Sequence, residues 1–106
     1  MQVSPKIFYE HCYGRYAIAA VNVFTMEQVL GLFSSGEKAN APFIVQITPA
    51  ARNYAGPEML IAMIKAAAKI FPKAVYAVHM DHGNEEHAID AILSNDYQSV
   101  MIDASH

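Results

Sequence analysis

The fold is decided by the stretch Ala74-Val-Tyr-Ala-Val-His-Met-Asp-His-Gly83. It opens on a continuous apolar run, which is typical of a strand covered on both faces, as in a parallel sheet. Two imidazoles and a carboxylate follow at the predicted carboxyl end of this strand. Because α/β folds place their chemistry at that end, the stretch predicts a parallel α/β protein and one edge of its functional site.

The rest of the chain alternates in the same way between strand and helix signals. Three further apolar runs are predicted strands, and amphipathic or capped segments lie between them. The predicted strands cover residues 17–23, 43–48, 74–80 and 97–102. The predicted helices cover residues 4–13, 25–39, 57–71 and 84–95, and residues 49–56 are predicted to be a loop.

Each βα unit takes roughly 25–30 residues, as in a (β/α)8 barrel. Since a whole barrel needs about 250 residues, we predict that residues 1–106 form the N-terminal half of a single (β/α)8 TIM-barrel domain whose second half is absent. A doubly wound open sheet is the alternative, but its Gly-x-Gly-x-x-Gly loop does not follow the first strand. A half barrel leaves its outer strands open, so the chain is expected to be a fragment or to pair with another chain.

Local signals set the helix boundaries and their buried faces. Thr25 and Gln28 have the spacing of a capping box. Pro57 suits the first position of a helix, where its missing N–H costs nothing. In the last helix, Ala88 and Ile92 are expected on the buried side together with Ala91.

Composition excludes several classes of function. The chain has 106 residues, a formal net charge of −3 and 54% apolar residues, so it is one domain at most, without a basic footprint for nucleic acid or an anionic membrane. Its apolar runs are too short to span a bilayer, and its N-terminus does not resemble a signal peptide. Cys12 is the single cysteine, which fits a reducing compartment. We therefore expect a cytoplasmic protein.

Polar side chains recur at the carboxyl ends of the four predicted strands, namely Asn22, Thr48, Asp81 with His82, and Asp103. In a barrel these positions ring one mouth. An imidazole at such a position is a natural ligand for a divalent metal. Since neighbouring side chains leave a strand in different directions, we expect His82 to bind metal while Asp81 handles a substrate proton.

Each of these residues also has a purely structural interpretation. The amide of Asn22 bonds either to substrate or to backbone. The aspartate–histidine pair and Thr48 are candidates for capping, and Asp103 is a common turn residue. His79 lies on the same strand face as Asp81, where it either orients that carboxylate, contacts substrate or is a hydrogen-bonded core histidine. Arg52 is a candidate anion contact but is expected to be a solvated loop cation.

Four motifs, in this order and spacing, resemble the class II, zinc-dependent fructose-bisphosphate and tagatose-bisphosphate aldolases. They are Ala20-Val-Asn22, Ile44-Val-Gln-Ile-Thr48, His79-Met-Asp-His-Gly83 and Ser99-Val-Met-Ile-Asp-Ala-Ser-His106. The resemblance covers essentially the whole chain and implies a (β/α)8 barrel. It implies reversible cleavage of a ketose 1,6-bisphosphate to dihydroxyacetone phosphate and glyceraldehyde 3-phosphate.

The resemblance also implies roles for individual residues. It makes His82 a ligand of the catalytic zinc and Asp81 the proton donor and acceptor at the substrate's C4 oxygen. Asn22 binds the enediolate, Thr48 stands where the family usually has a phosphate-binding serine, and Asp103 matches a carboxylate at a second metal position. His79 is a further candidate for substrate binding.

The implied chemistry agrees with the residues present. A zinc ion acting as a Lewis acid stabilises the enediolate charge, so no Schiff-base lysine is needed at a strand end. The remaining zinc ligands of the family lie beyond this chain, so the chain alone is expected to be inactive. At full length we expect a homo-oligomer that acts on a phosphorylated ketose. The alternatives are a non-catalytic half barrel that assembles through its open edges and a related metal-dependent barrel lyase.

Overall fold

A computed structural model describes residues 1–105 of the chain, and His106, the last residue of the fourth motif, lies outside the described residues. The helices are α1 (Pro5–Cys12), α2 (Met26–Ala39), α3 (Pro49–Ala55), α4 (Pro57–Ile70) and α5 (Glu85–Ser94). The strands are β1 (Ala19–Asn22), β2 (Phe43–Ile47), β3 (Tyr76–Gly83) and β4 (Ser99–Ile102). Within the described residues, no helix combines the length and apolar character needed to cross a membrane.

The four strands form one parallel sheet in the order β1-β2-β3-β4. Each strand pairs with the next one along the chain after a helical connection, so there is no switch point of the kind that defines a doubly wound sheet. This sequential order is the topology of half a (β/α)8 barrel, and the predicted fold class is confirmed.

The sheet separates two apolar clusters. On the helix-covered face, Val45 and Val78 pack with buried residues of α2 and α4 in the larger cluster. On the other face, Ile44 and Ala77 pack against Phe8 of α1 in a smaller cluster. Because side chains alternate along a strand, residues that share the parity of Ile44 and Ala77 face the interior of the half barrel.

An aromatic cluster joins α2 to the middle of the sheet. The ring of Phe33 makes edge-on contacts with Phe43 and Tyr76, at centroid distances of 5.0 and 4.8 Å. Gly36 lies one helical turn beyond Phe33, and a Cβ atom there would overlap the Phe43 ring. The glycine therefore sets how closely α2 approaches β2.

The predicted helix starts are confirmed. Thr25 and Gln28 form the reciprocal capping box, and Pro57 occupies the first position of α4. Ala88 is buried on α5 together with Ala91, as expected.

Several local predictions are wrong, and β1 and β4 each begin two residues later than predicted, at Ala19 and Ser99. Residues 49–55, predicted to be a loop, form α3, because the Thr48 side chain caps it and Pro49 suits its first turn. β3 continues to Gly83, three residues beyond the predicted end. Ile92 is 68% exposed, because α5 packs on β3 and β4 through the face that carries Ala88 and Ala91.

The outer strands are open, as expected of half a barrel. All four residues of β1 are exposed, and β4 has Met101 and Ile102 exposed. The apolar side chains at these two edges are therefore not buried by packing within residues 1–105.

Candidate functional site

A row of polar residues crosses the four strands. Asn22 is in register with Gln46, Gln46 with His79, and His79 with Ser99. Gln46 and His79 lie two positions beyond Ile44 and Ala77, so the row faces the interior of the half barrel. This row lies close to the carboxyl ends of β1 and β2, the end predicted to carry the chemistry.

The end of β3 is irregular, and this irregularity shapes the site. The pairing with β4 shifts between Met80 and Gly83, so the strand bulges at Asp81 and His82. His82 has a φ of 51°, in the left-handed region that non-glycine residues rarely adopt. Bulges re-aim side chains and are over-represented next to active sites. The backbone at the motif is therefore bent away from the regular strand predicted from the sequence.

The bulge corrects one expectation about the aspartate–histidine pair. A regular strand would send the side chains of Asp81 and His82 to opposite faces. Instead, His82 Nε2 lies 3.7 Å from Asp81 Oδ2, because the left-handed residue turns the imidazole back. His82 also lies within β3 and not beyond its end.

The Asp81 carboxylate lies between two imidazoles. Its Oδ1 is 3.5 Å from His79 Nε2, and its Oδ2 faces His82. The Asp81 side chain is only 15% exposed and that of His79 19%, whereas the His82 side chain is 55% exposed. Asp81 is thus held in a sheltered position while His82 is open to solvent on one side.

Asp103, which directly follows the neighbouring strand β4, completes the group. Its Oδ2 lies 3.2 Å from His82 Nδ1, and its Oδ1 accepts a hydrogen bond from the backbone N–H of Ser105. The Ser105 hydroxyl also donates to Oδ1, at 2.5 Å. Both carboxylate oxygens of Asp103 therefore have defined contacts, and one of them orients the His82 ring.

Ser99 makes a short contact with His79. Its Oγ lies 2.6 Å from His79 Nδ1. Sequence reasoning missed this residue, and also Gln46, because a serine that starts a strand and a glutamine within an apolar run give no motif of their own. Cross-strand register with His79 is the signal that identifies both residues.

Two of the predicted site residues lie apart from the cluster formed by His79, Asp81, His82 and Asp103. Asn22 lies at the exposed end of β1, beside Gln46. Thr48 follows β2, and its Oγ1 accepts a hydrogen bond from the Ala51 N–H at 3.2 Å as the cap of α3. Its hydroxyl hydrogen is still a potential donor to a ligand.

Arg52 is not the solvated loop cation that was expected. It belongs to α3, its side chain is only 13% exposed, and Nη2 lies 3.6 Å from Asp90 Oδ2 on α5. Together with Lys65 and Tyr97 it lines a cavity of about 600 Å³ between α4 and α5. This cavity lies on the helix side of the sheet, so Arg52 does not belong to the strand-end site.

The side chains at the strand ends can supply one of the ligands of a zinc site, through His82. Both ring nitrogens of His82 face a carboxylate, but Nδ1 lies closer to Asp103, at 3.2 Å, than Nε2 does to Asp81, at 3.7 Å. Nε2 is therefore the candidate ligating atom, since carboxylate–histidine pairs such as that with Asp103 are the usual outer support of a metal ligand. A structural zinc site needs four protein ligands and a catalytic one three. Within residues 1–105, no three His, Cys, Asp or Glu side chains are arranged to hold a metal ion.

Known proteins match both the sequence and the structure of this chain. A family profile described as fructose-bisphosphate aldolase class-II matches residues 4–106. Fructose-bisphosphate aldolase 2 of Cereibacter sphaeroides is 38% identical over 90 residues, which are 85% of this chain and 25% of that protein. A fructose-bisphosphate aldolase of Helicobacter pylori is 32% identical over 91 residues, which are 86% of this chain and 30% of that protein.

Solved structures agree in fold. The YdjI aldolase of Escherichia coli K12 superposes with a TM-score of 0.85 at 24% identity, over 99% of this chain and 41% of that one. The fructose-bisphosphate aldolase of Campylobacter jejuni gives a TM-score of 0.74 at 20% identity, over 95% of this chain and 37% of that one. The chain thus spans between a quarter and a third of the length of these two curated relatives.

Proposed function

This chain belongs to the class-II fructose-bisphosphate aldolase family, and we propose that it is the N-terminal half of the barrel of a zinc-dependent aldolase. The substrate is fructose 1,6-bisphosphate or tagatose 1,6-bisphosphate, cleaved reversibly to dihydroxyacetone phosphate and glyceraldehyde 3-phosphate. The observation that carries the proposal is the cluster of Asp81, His82 and Asp103 at the carboxyl ends of β3 and β4.

His82 would hold the zinc ion through Nε2. Its other nitrogen, Nδ1, faces Asp103 Oδ2 at 3.2 Å, and this contact favours the tautomer in which Nε2 carries a lone pair. Zinc, when bound, supplies a Lewis acid for the oxygens of the ketose. The further ligands would come from the second half of the barrel.

Asp81 would move the proton of the C4 hydroxyl group. Cleavage of the C3–C4 bond requires that this hydroxyl lose its proton to a base, and condensation requires an acid at the same oxygen. Asp81 Oδ2 lies 3.7 Å from His82 Nε2, so Asp81 would take up the proton next to the residue proposed to hold the metal. The low exposure of Asp81 keeps water from competing for the position.

Three polar residues of the interior face would bind the substrate. Asn22 at the end of β1 would donate an amide hydrogen bond to the enediolate oxygens. Thr48, beside the N-terminus of α3, would offer its hydroxyl hydrogen to a phosphate group. His79, which lies beside Asp81 Oδ1, would contact the substrate next to that carboxylate.

The complete protein would be a cytoplasmic homo-oligomer whose single barrel domain includes residues 1–106. Family membership supports the location and the oligomer, and the open edges of β1 and β4, which a second half would cover, support the single barrel domain.

The test is cleavage of fructose 1,6-bisphosphate by the protein made from the complete reading frame, compared with the 106-residue chain. We expect the complete protein to release dihydroxyacetone phosphate, to lose activity with a chelator and to regain it with zinc. The 106-residue chain should be inactive. Parallel assays with tagatose 1,6-bisphosphate identify the preferred epimer.

Two results would contradict the proposal. A complete protein that binds zinc but cleaves neither bisphosphate would favour a related lyase. A complete protein that binds no zinc and forms a two-fold assembly of half barrels would favour the non-catalytic alternative.

A further inference from the structure

We infer that Ser99 and His79 form a positioning relay that holds the Asp81 carboxylate in its reactive orientation. The inference rests on the proposed function, in which Asp81 carries the C4 proton. It adds Ser99 to the site, a residue of β4 that acts on Asp81 of β3.

The relay is defined by two distances on opposite sides of one imidazole. Ser99 Oγ lies 2.6 Å from His79 Nδ1, and His79 Nε2 lies 3.5 Å from Asp81 Oδ1. The register pairs His79 with Ser99 directly, so the short contact follows from the β3–β4 pairing. The ring therefore spans the distance between β4 and the carboxylate.

The chemistry of the ring gives the relay a direction. A neutral imidazole has one N–H donor and one lone pair. If Nε2 carried the lone pair, it would face the negatively charged Asp81 oxygen, which is unfavourable. The stable arrangement has the Ser99 hydroxyl donating to Nδ1 and the Nε2–H directed at Asp81. Because a hydroxyl can donate or accept, Asp81 sets this tautomer, and the Ser99 hydroxyl stabilises it by donating to Nδ1.

The relay also distinguishes the two oxygens of Asp81. Oδ1 faces His79, while Oδ2 lies 3.7 Å from His82 Nε2, the atom proposed to bind zinc. Because His79 holds Oδ1, Oδ2 remains directed at the C4 hydroxyl group of the substrate. Because the His79 and Asp81 side chains are both mostly buried, solvent screens this attraction little.

The first experiment reads the tautomer of His79 directly. The complete protein, labelled with nitrogen-15 at histidine, is studied by NMR at alkaline pH, where histidine rings are neutral. We expect the Nε2–H tautomer for His79. Ser99→Ala should convert it to a mixture, and Ser99→Thr should retain it because the hydroxyl is kept. Ser35→Ala, an exposed serine on α2, is the matched control.

The second experiment measures catalysis. Ser99→Ala should lower kcat for fructose 1,6-bisphosphate by about tenfold, in the range seen for outer-shell partners, with KM changed less than twofold. Ser99→Thr should recover most of kcat. A purely structural serine would instead lower the melting temperature and leave the kcat of the folded enzyme unchanged.

The outcomes separate the relay from the proposed function. A wild-type protein with the Nδ1–H tautomer at His79, or a Ser99→Ala variant with unchanged tautomer and kcat, overturns the relay alone. A wild-type protein that cleaves no ketose bisphosphate overturns the proposed function, and the tautomer experiment still decides whether the relay exists.

Discussion

The contact between His82 Nδ1 and Asp103 Oδ2, at 3.2 Å, joins the bulged end of β3 to the residue that follows β4. The two residues are 21 positions apart in the chain, and only the parallel pairing of β3 with β4 brings them together. The contact orients the ring and leaves Nε2 available as a ligand.

Replacing Asp103 should therefore weaken zinc binding without removing a ligand nitrogen. We expect Asp103→Ala in the complete protein to raise the Kd for zinc by about 10- to 100-fold. Competition with a chromophoric chelator measures the Kd. Asp96→Ala, which removes a carboxylate paired with Lys65 outside the site, is the control. An unchanged Kd in Asp103→Ala would mean that this carboxylate does not support His82.

Replacing Asp81 should affect the chemical step and not substrate binding. Asp81→Asn has nearly the same shape but cannot accept the C4 proton as a base. We expect kcat to fall by about 100- to 10,000-fold, with KM and bound zinc nearly unchanged. Steady-state kinetics and metal analysis of the same preparation give both values. A fall in zinc content to match the fall in kcat would instead assign Asp81 to metal binding.

Two glycines of α2 provide a test of the core. Gly36→Ala places a methyl group against the Phe43 ring, which is buried and held between Phe33 and Tyr76. We expect the free energy of unfolding to fall by about 1–3 kcal/mol. Gly31→Ala meets open space in the same helix and should raise it by about 0.5–1 kcal/mol.

Urea unfolding of both variants measures these changes. Because both substitutions gain the same helix propensity, their difference isolates the overlap with Phe43. Equal effects at the two positions would show that α2 can shift away from β2 at little cost.

Burial of Tyr97 predicts a loss of stability at alkaline pH. Burial raises the pKa of the Tyr97 hydroxyl above its ordinary value of 10.0, with smaller opposing and reinforcing contributions from Arg52, Asp96 and Asp90. A raised pKa in the folded state means that this contribution is intact below pH 10 and is lost as the pH rises through the folded-state pKa. The tyrosinate, once formed, is better solvated in the unfolded chain.

Tyr97→Phe should therefore reduce the loss of stability above pH 10. Near neutral pH the cost should be small, because the Tyr97 hydroxyl is buried without a hydrogen-bond partner among the described residues. Thermal unfolding between neutral pH and strongly alkaline pH measures both effects. Tyr13→Phe, which changes a side chain 90% exposed, is the control, and an equal effect of the two variants would contradict the prediction.

The alternation of strands and helices was predictable from the sequence because its causes are local. Continuous apolar runs indicate buried parallel strands, and the capping box of Thr25 with Gln28 marks the start of α2. The polar residues at the strand ends were recognised for the same reason, since each follows an apolar run along the chain. Family membership follows from the same motifs and is confirmed by the match to residues 4–106.

The geometry of the site depends on contacts between strands that no local pattern records. The bulge that turns His82 towards Asp81 arises from the pairing of β3 with β4. The contact of Ser99 with His79 arises from the same pairing. Burial of Arg52 was likewise not predictable from the sequence, since it depends on α3 packing near Asp90 of α5. The sequence by itself determined which groups reach the carboxyl edge of the sheet, because strand periodicity is local. Only the tertiary structure decided which atoms meet there, because cross-strand register and a left-handed residue set those distances.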